Sequence, residues 1–224
     1  MTACNTWKTP ESTADVRPAI FPDYTEITVP VNVAPLNFMV EDAGHVQATF
    51  CHAGNELLKV KGKDGVIQIP IRKWSEMLQS VAPGNIDVQV SVWDAENPDG
   101  KAYLSFPIHV VPDEIDPWIS YRLIEPGYVG WRQLGIYQRN MSSFEESVIV
   151  SNRASNTTCL NCHNYPAYSP ESMMFHARGK NGGTILYDKG KLTKIDFKSI
   201  GPKKNTTYPA WHPDGRLLAF SSNS

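Results

Sequence analysis

The chain has 224 residues, 41% of them hydrophobic, and its 21 Lys and Arg nearly balance 23 Asp and Glu, leaving a net charge of −2. That length allows one large or two small domains with proper cores. The near-neutral balance gives no reason to expect nucleic acid as a partner, and the absence of an 18-residue apolar run gives no candidate transmembrane helix.

The first residues, Met1-Thr-Ala-Cys4-Asn5, lack the hydrophobic region of a complete secretory signal. Thr2-Ala3-Cys4 nevertheless looks like the end of a bacterial lipobox, in which the cysteine is lipidated, so Cys4 is the expected anchor and the only expected link to a membrane. Residues 1–24, rich in Thr, Ser, Pro and Glu without periodicity, read as a tether.

From residue 25 to 112 short alternating segments follow one another at the spacing of a β-sandwich. Strands are expected over residues 27–33, 36–40, 46–51, 57–60, 66–71, 86–92 and 104–110. In the last two every second residue is apolar, and Asn97-Pro-Asp-Gly100 before the last reads as a turn. Residues 72–81 suit a helical excursion. Seven strands in this length is the count of an immunoglobulin-like sandwich. Cys51 is expected as a small buried hydrophobe, with His45, His52 and His109 on the strand surfaces. Nothing in this stretch suggests catalysis.

Residues 113–151 change character, placing Trp118, Tyr121, Tyr128, Trp131, Tyr137 and Phe144 among charged residues. This is too aromatic for a flexible linker. Then comes Cys159-Leu-Asn-Cys162-His163, the CxxCH attachment signature of a c-type haem. Two residues between the cysteines let one short stretch offer both thiols to the vinyl groups of one porphyrin, while the adjacent His163 can ligate the iron. Two other uses of CxxC compete. A structural zinc site would need two further ligands, His176 and His212 being the nearest, since Cys4 and Cys51 are remote. A redox disulfide would open a helix after a strand, whereas residues 151–158 are a polar loop.

After the motif, Ser169-Pro-Glu has the form of a helix start, and residues 171–177 are expected as a short helix. That helix carries Met173, Met174 and His176, each chemically able to be the second axial ligand, with Met173 and His176 sharing a face at i, i+3. Arg178 on the same segment is placed to reach a haem propionate. Residues 182–197 read as a hairpin turning at Asp188-Lys-Gly190.

Ile115-Asp-Pro-Trp-Ile-Ser-Tyr-Arg-Leu-Ile-Glu-Pro-Gly-Tyr128, Gly135-Ile-Tyr-Gln-Arg-Asn140, the CxxCH and Met174-Phe-His-Ala-Arg-Gly179 together resemble a family of cell-envelope proteins of Bacteroidetes-type bacteria. The resemblance covers roughly residues 85–224. It implies an immunoglobulin-like module before a single CxxCH and a TolB-like propeller. Tyr208-Pro-Ala-Trp-His-Pro-Asp-Gly-Arg-Leu-Leu-Ala-Phe220 resembles the blade motif of such propellers, with His212 as a turn-side residue. A propeller needs at least four blades and only one fits within residues 181–224. The resemblance also favours His176 over the methionines as distal ligand.

The expected organisation is therefore mainly β: a tether over 1–24, an immunoglobulin-like sandwich over 25–112, a haem c attachment segment over 113–180 and an incomplete blade over 181–224. The expected function is that of an envelope-anchored, cytochrome-like electron carrier with one covalent haem and an unidentified redox or envelope protein partner. The competing function is a scaffolding protein of the envelope with structural or absent haem. A haem peroxidase would need an open distal side with an acid–base residue over the iron. No phosphate loop, GxSxG or HExxH occurs.

Overall fold

The computed structural model describes residues 7–124, 126, 134–155, 159–179, 182–195, 197 and 205–223. Cys4, the expected lipidation site, lies outside them. The fold is mainly β, built from several sheets with no closed barrel among the described residues. It divides into two compact units. One holds Met1–Pro117 with Asn140–Phe144; the other holds Trp118–Arg139 with Glu145–Ser224.

The first unit contains β1 (Ser12–Thr13), β2 (Ile20–Phe21), β3 (Thr28–Pro30), β4 (Phe38–Val40), β5 (His45–His52), β6 (Asn55–Lys63), β7 (Val66–Ile67), α1 (Ile71–Val81), β8 (Gly84–Trp93), β9 (Lys101–Ala102) and β10 (Phe106–Val111). Strands β1, β9, β8, β10 and β3 lie side by side, with β5 pairing β8 and then β6. A second sheet is ordered β2, β4, β7. Alternation decides which faces are buried: Ile86, Val88, Val90 and Val92 of β8 are buried beside Val46, Ala48 and Phe50 of β5. Ile20, Phe38, Val40 and Ile67 of the smaller sheet belong to the same core, closed by Trp74, Met77, Leu78 and Val81 of α1. Two-residue turns at Ala53-Gly54 and Asp64-Gly65, with positive φ at both positions, match the twist of the strands they join.

All seven expected strands and the helical excursion are present, most with shifted ends. The tether reading of residues 1–24 needs correction over the described residues 7–24. Ser12 and Thr13 pair with Lys101 and Ala102, Ile20 is buried, and the Trp7 ring lies 5.3 Å from those of His45 and Trp93. These residues complete sheet edges, and segments of two paired residues are too short to carry a periodicity. Cys51 is half-buried on β5 rather than fully buried.

The second unit contains β11 (Trp118–Ile124), β12 (Leu134–Asn140), β13 (Glu146–Ser151), β14 (Leu160–Asn164), β15 (Ser172–Ala177), β16 (Gly183–Asp188), β17 (Lys191–Ile195), β18 (Asn205–Trp211) and β19 (Leu218–Asn223). They form a three-stranded sheet β11-β12-β13, a four-stranded sheet β14-β15-β16-β17 and the hairpin β18-β19. The turn at Lys189-Gly190 has positive φ at both residues, as the expected hairpin requires. The expected helix over 171–177 is instead strand β15. It is paired on both edges and buried on both faces, so its sequence lacks polar alternation and reads as an unbroken apolar run. Ser169 does not cap a helix, though its Oγ accepts from the Glu171 amide at 3.4 Å.

The Trp74 indole anchors the first unit. It is fully buried, meets Phe50 edge-on at 6.1 Å and donates from Nε1 to the Val33 carbonyl at 3.0 Å. Trp74→Ala should cost about 3–5 kcal/mol of stability through the cavity and the orphaned carbonyl. Chemical denaturation will show this as a lower midpoint, and an unchanged midpoint would contradict the packing described.

Candidate functional site

The CxxCH motif occupies β14, preceded by Cys159. Leu160 pairs with Ala177 and Asn161 with His176, but the next paired residue is Asn164, opposite Met174. Cys162 and His163 thus both stand opposite Phe175. This is a β-bulge, which breaks the ladder and re-aims side chains. Cys162 takes the strained part of the bulge, with φ at +52°.

The bulge sorts the motif between the two faces of the four-stranded sheet. On one face Leu160, Met173, Phe175 and Ala177 form a core with Leu134 and Ile136 of β12, and Cys159, Tyr165 and Ile185 pack against it. His163 turns to this side, its ring 6.3 Å from that of Tyr165. On the other face Asn164 Nδ2 donates to the Pro209 carbonyl of β18 at 3.4 Å. His176 lies on this second face, 4% exposed, with Nδ1 2.9 Å from Thr184 Oγ1 and its ring 5.5 Å from Phe220. Thr184 Oγ1 is in turn 3.2 Å from Thr206 Oγ1.

The expected distal pair is therefore not assembled. On a helix Met173 and His176 would share a face; on a strand the period of two groups His176 with Met174 and places Met173 on the side of His163. His176, the expected distal ligand, approaches the sheet from the face opposite to His163, and its buried Nε2 has no hydrogen-bond partner among the described residues. Arg178 is exposed, and its backbone N–H donates to the Cys159 carbonyl at 2.9 Å. It is held beside the first cysteine by its main chain.

Cys159 and Cys162 are both free and half-buried. Burial pushes the His163 pKa down, a hydrogen bond to the Ser120 carbonyl partly counters this, and the Arg122 charge adds to the lowering. Burial likewise lowers that of His176, with a contribution from Arg178. Burial thus favours the neutral form of the His163 imidazole. The neutral form is the one that can ligate a metal.

These features fit one covalent haem on the His163 side: two adjacent thiols, a neutral imidazole with an oriented ring, and an apolar floor. The zinc alternative is not gathered. Among the described residues no three of His, Cys, Asp and Glu converge as a metal site, and His212 sits in the exposed β18-β19 turn with Nδ1 2.9 Å from Asp214 Oδ1. Nor does the motif open a helix, as a thioredoxin-like disulfide would require.

Sequence reasoning did not single out Ser120, Asn161 or Arg122. Arg122 Nη1 donates to Asn161 Oδ1 at 2.8 Å, and the same oxygen accepts from the Cys162 amide at 3.0 Å. No local pattern announces them, because β11 meets β14 only through the fold. Comparison with protein-family models, curated proteins and solved structures returned no match for this chain.

The half-buried His163 and the buried His176 both have folded-state pKa values below the unfolded value of about 6.5. Unfolding then takes up protons as acidity rises, so the stability present above pH ~6.5 is lost as pH falls through the folded values. His176→Gln keeps a polar partner for Thr184 and should flatten this acid dependence in unfolding titrations between pH 7.5 and 5. An unchanged slope would contradict the burial of a neutral His176.

Proposed function

We propose that the second unit carries one haem c, bound through thioethers to Cys159 and Cys162 with His163 as axial ligand, and serves as an electron carrier at the cell envelope. The observation that carries this reading is the CxxCH spacing itself, together with the half-buried free thiols and an adjacent imidazole that burial keeps toward its neutral form. When bound, the haem supplies one-electron chemistry. The chain's residues do the rest. Cys159 and Cys162 would fix the group covalently, and His163 would ligate its iron. Leu160, Met173 and Phe175 supply an apolar surface that limits water. Of the two methionines, Met173 lies on the side of His163 and would be the one able to hold the iron with it.

The remaining parts of the reading follow the same logic. The first unit, two largely antiparallel sheets sharing one core, is read as an immunoglobulin-like sandwich. The β18-β19 hairpin, turning at Pro213-Asp-Gly215 with Gly215 at φ +71°, is read as part of a TolB-like blade. Attachment outside the cytoplasm agrees with lipidation of Cys4. A second reading, a scaffolding protein of the envelope, is favoured by β11, which exposes Trp118, Ile119, Leu123 and Ile124 by 40–49%.

Intact mass spectrometry of protein isolated from its native envelope should show one haem adduct, lost in Cys159→Ser/Cys162→Ser. Unmodified cysteines would leave the scaffolding reading. In haem-loaded protein His176→Ala should keep the wild-type low-spin spectrum, whereas Met173→Ala should become high-spin. The reverse result would return the distal role to His176.

A further inference from the structure

The bulge in β14 raises a question of cost. A non-glycine residue in the left-handed region is disfavoured, and it persists only where neighbouring contacts hold it. Cys162 is such a residue, its amide has left the β14-β15 ladder, and it is a proposed attachment point. The amide finds its acceptor in Asn161 Oδ1 at 3.0 Å, and that oxygen is held from β11 by Arg122 Nη1 at 2.8 Å. Ser120, two residues earlier on β11, lies near His163. One strand from the preceding sheet thus holds, through Asn161, the backbone of the second cysteine.

The geometry points to Asn161 and Arg122 as positioning residues that hold the Cys162–His163 bulge in the conformation the motif needs for haem attachment. The inference rests on the haem reading above, but the clamp itself is a property of the protein without haem. Asn161 matters here through its side-chain oxygen, so its place as one of the two intervening residues of CxxCH is not neutral in this chain. Asn161→Asp keeps the acceptor and gains charge complementarity with Arg122; Asn161→Leu keeps the volume and removes the acceptor. Arg122 brings a positive charge near His163 that favours the reduced iron, in addition to its hold on Asn161.

Two measurements separate the clamp from the haem reading. In apo protein, amide hydrogen exchange at Cys162 should accelerate at least tenfold in Asn161→Leu and Arg122→Ala, and remain near wild type in Asn161→Asp. Protein matured in an attachment-competent host should show the haem-bearing fraction falling several-fold in Asn161→Leu and recovering in Asn161→Asp. Arg122→Gln should lower the midpoint potential of the loaded fraction. A general loss of stability would affect amides throughout the sheet and would not be rescued by Asp, so exchange at Met174 and Leu186 serves as the control. Unchanged exchange at Cys162 in Asn161→Leu overturns the clamp whatever the haem content. Wild-type protein without haem, but with the expected exchange pattern, overturns the haem reading and leaves the clamp standing. Equal loading of Asn161→Leu and wild type overturns the link of the clamp to attachment.

Discussion

Strand β15 is buried on both faces and paired on both edges, and this double constraint governs the whole second unit. In such a strand the choice of register is a choice of which side chains meet which core. A slip of one residue would send Phe175 toward Thr184 and Thr206 and put His176 among Leu134, Ile136 and Leu160, stranding an imidazole in apolar surroundings. The cost of that exchange fixes the register. Once it is fixed, β14 must align its own residues to match, and the motif inherits its orientation from its neighbour.

The motif does not fit that alignment without a break. Leu160 opposite Ala177 and Asn164 opposite Met174 are consistent with regular pairing only if one extra residue is absorbed between them, and Cys162–His163 absorbs it. The extra residue turns His163 to the same side as the core with Cys159 and Tyr165, while Asn164 still reaches β18. A regular strand would have kept a backbone ladder here at the expense of that side-chain placement. Departures from local regularity of this kind are what chains retain where a site requires them.

How far the sequence disclosed this architecture depends on how each element is buried. Strands with one wet face, such as β8 and β10, alternate plainly and were legible along with α1 and the Lys189-Gly190 hairpin. β15 was not, because Met173, Met174, Phe175 and His176 are all buried and an apolar run of that length suits a helix as well as a strand. The error propagated to the site, since the helical period of Met173 and His176 put together two residues that the strand period separates. The edge strands of residues 12–13 and 20–21 were hidden by brevity. The CxxCH was visible at once because its spacing is local. Ser120, Asn161 and Arg122 were not, because β11 reaches the motif only across 39 or more positions of chain.

His163 and His176 show why burial and a lowered pKa do not by themselves mark a ligand. Both imidazoles are pushed toward the neutral form by removal from water. Their differences lie in what surrounds the ring. His176 has its Nδ1 within a hydroxyl relay, Thr184 to Thr206, that joins β15, β16 and the β18-β19 hairpin, its ring lies against Phe220, and its buried Nε2 has no hydrogen-bond partner among the described residues. His163 lies in the bulge with Cys162, near the Ser120 main chain, its ring 6.3 Å from that of Tyr165. The first is set within the packing of three strands; the second stands in the bulge of the CxxCH motif. A neutral imidazole is the form needed in both cases, and only the neighbouring chemistry distinguishes them.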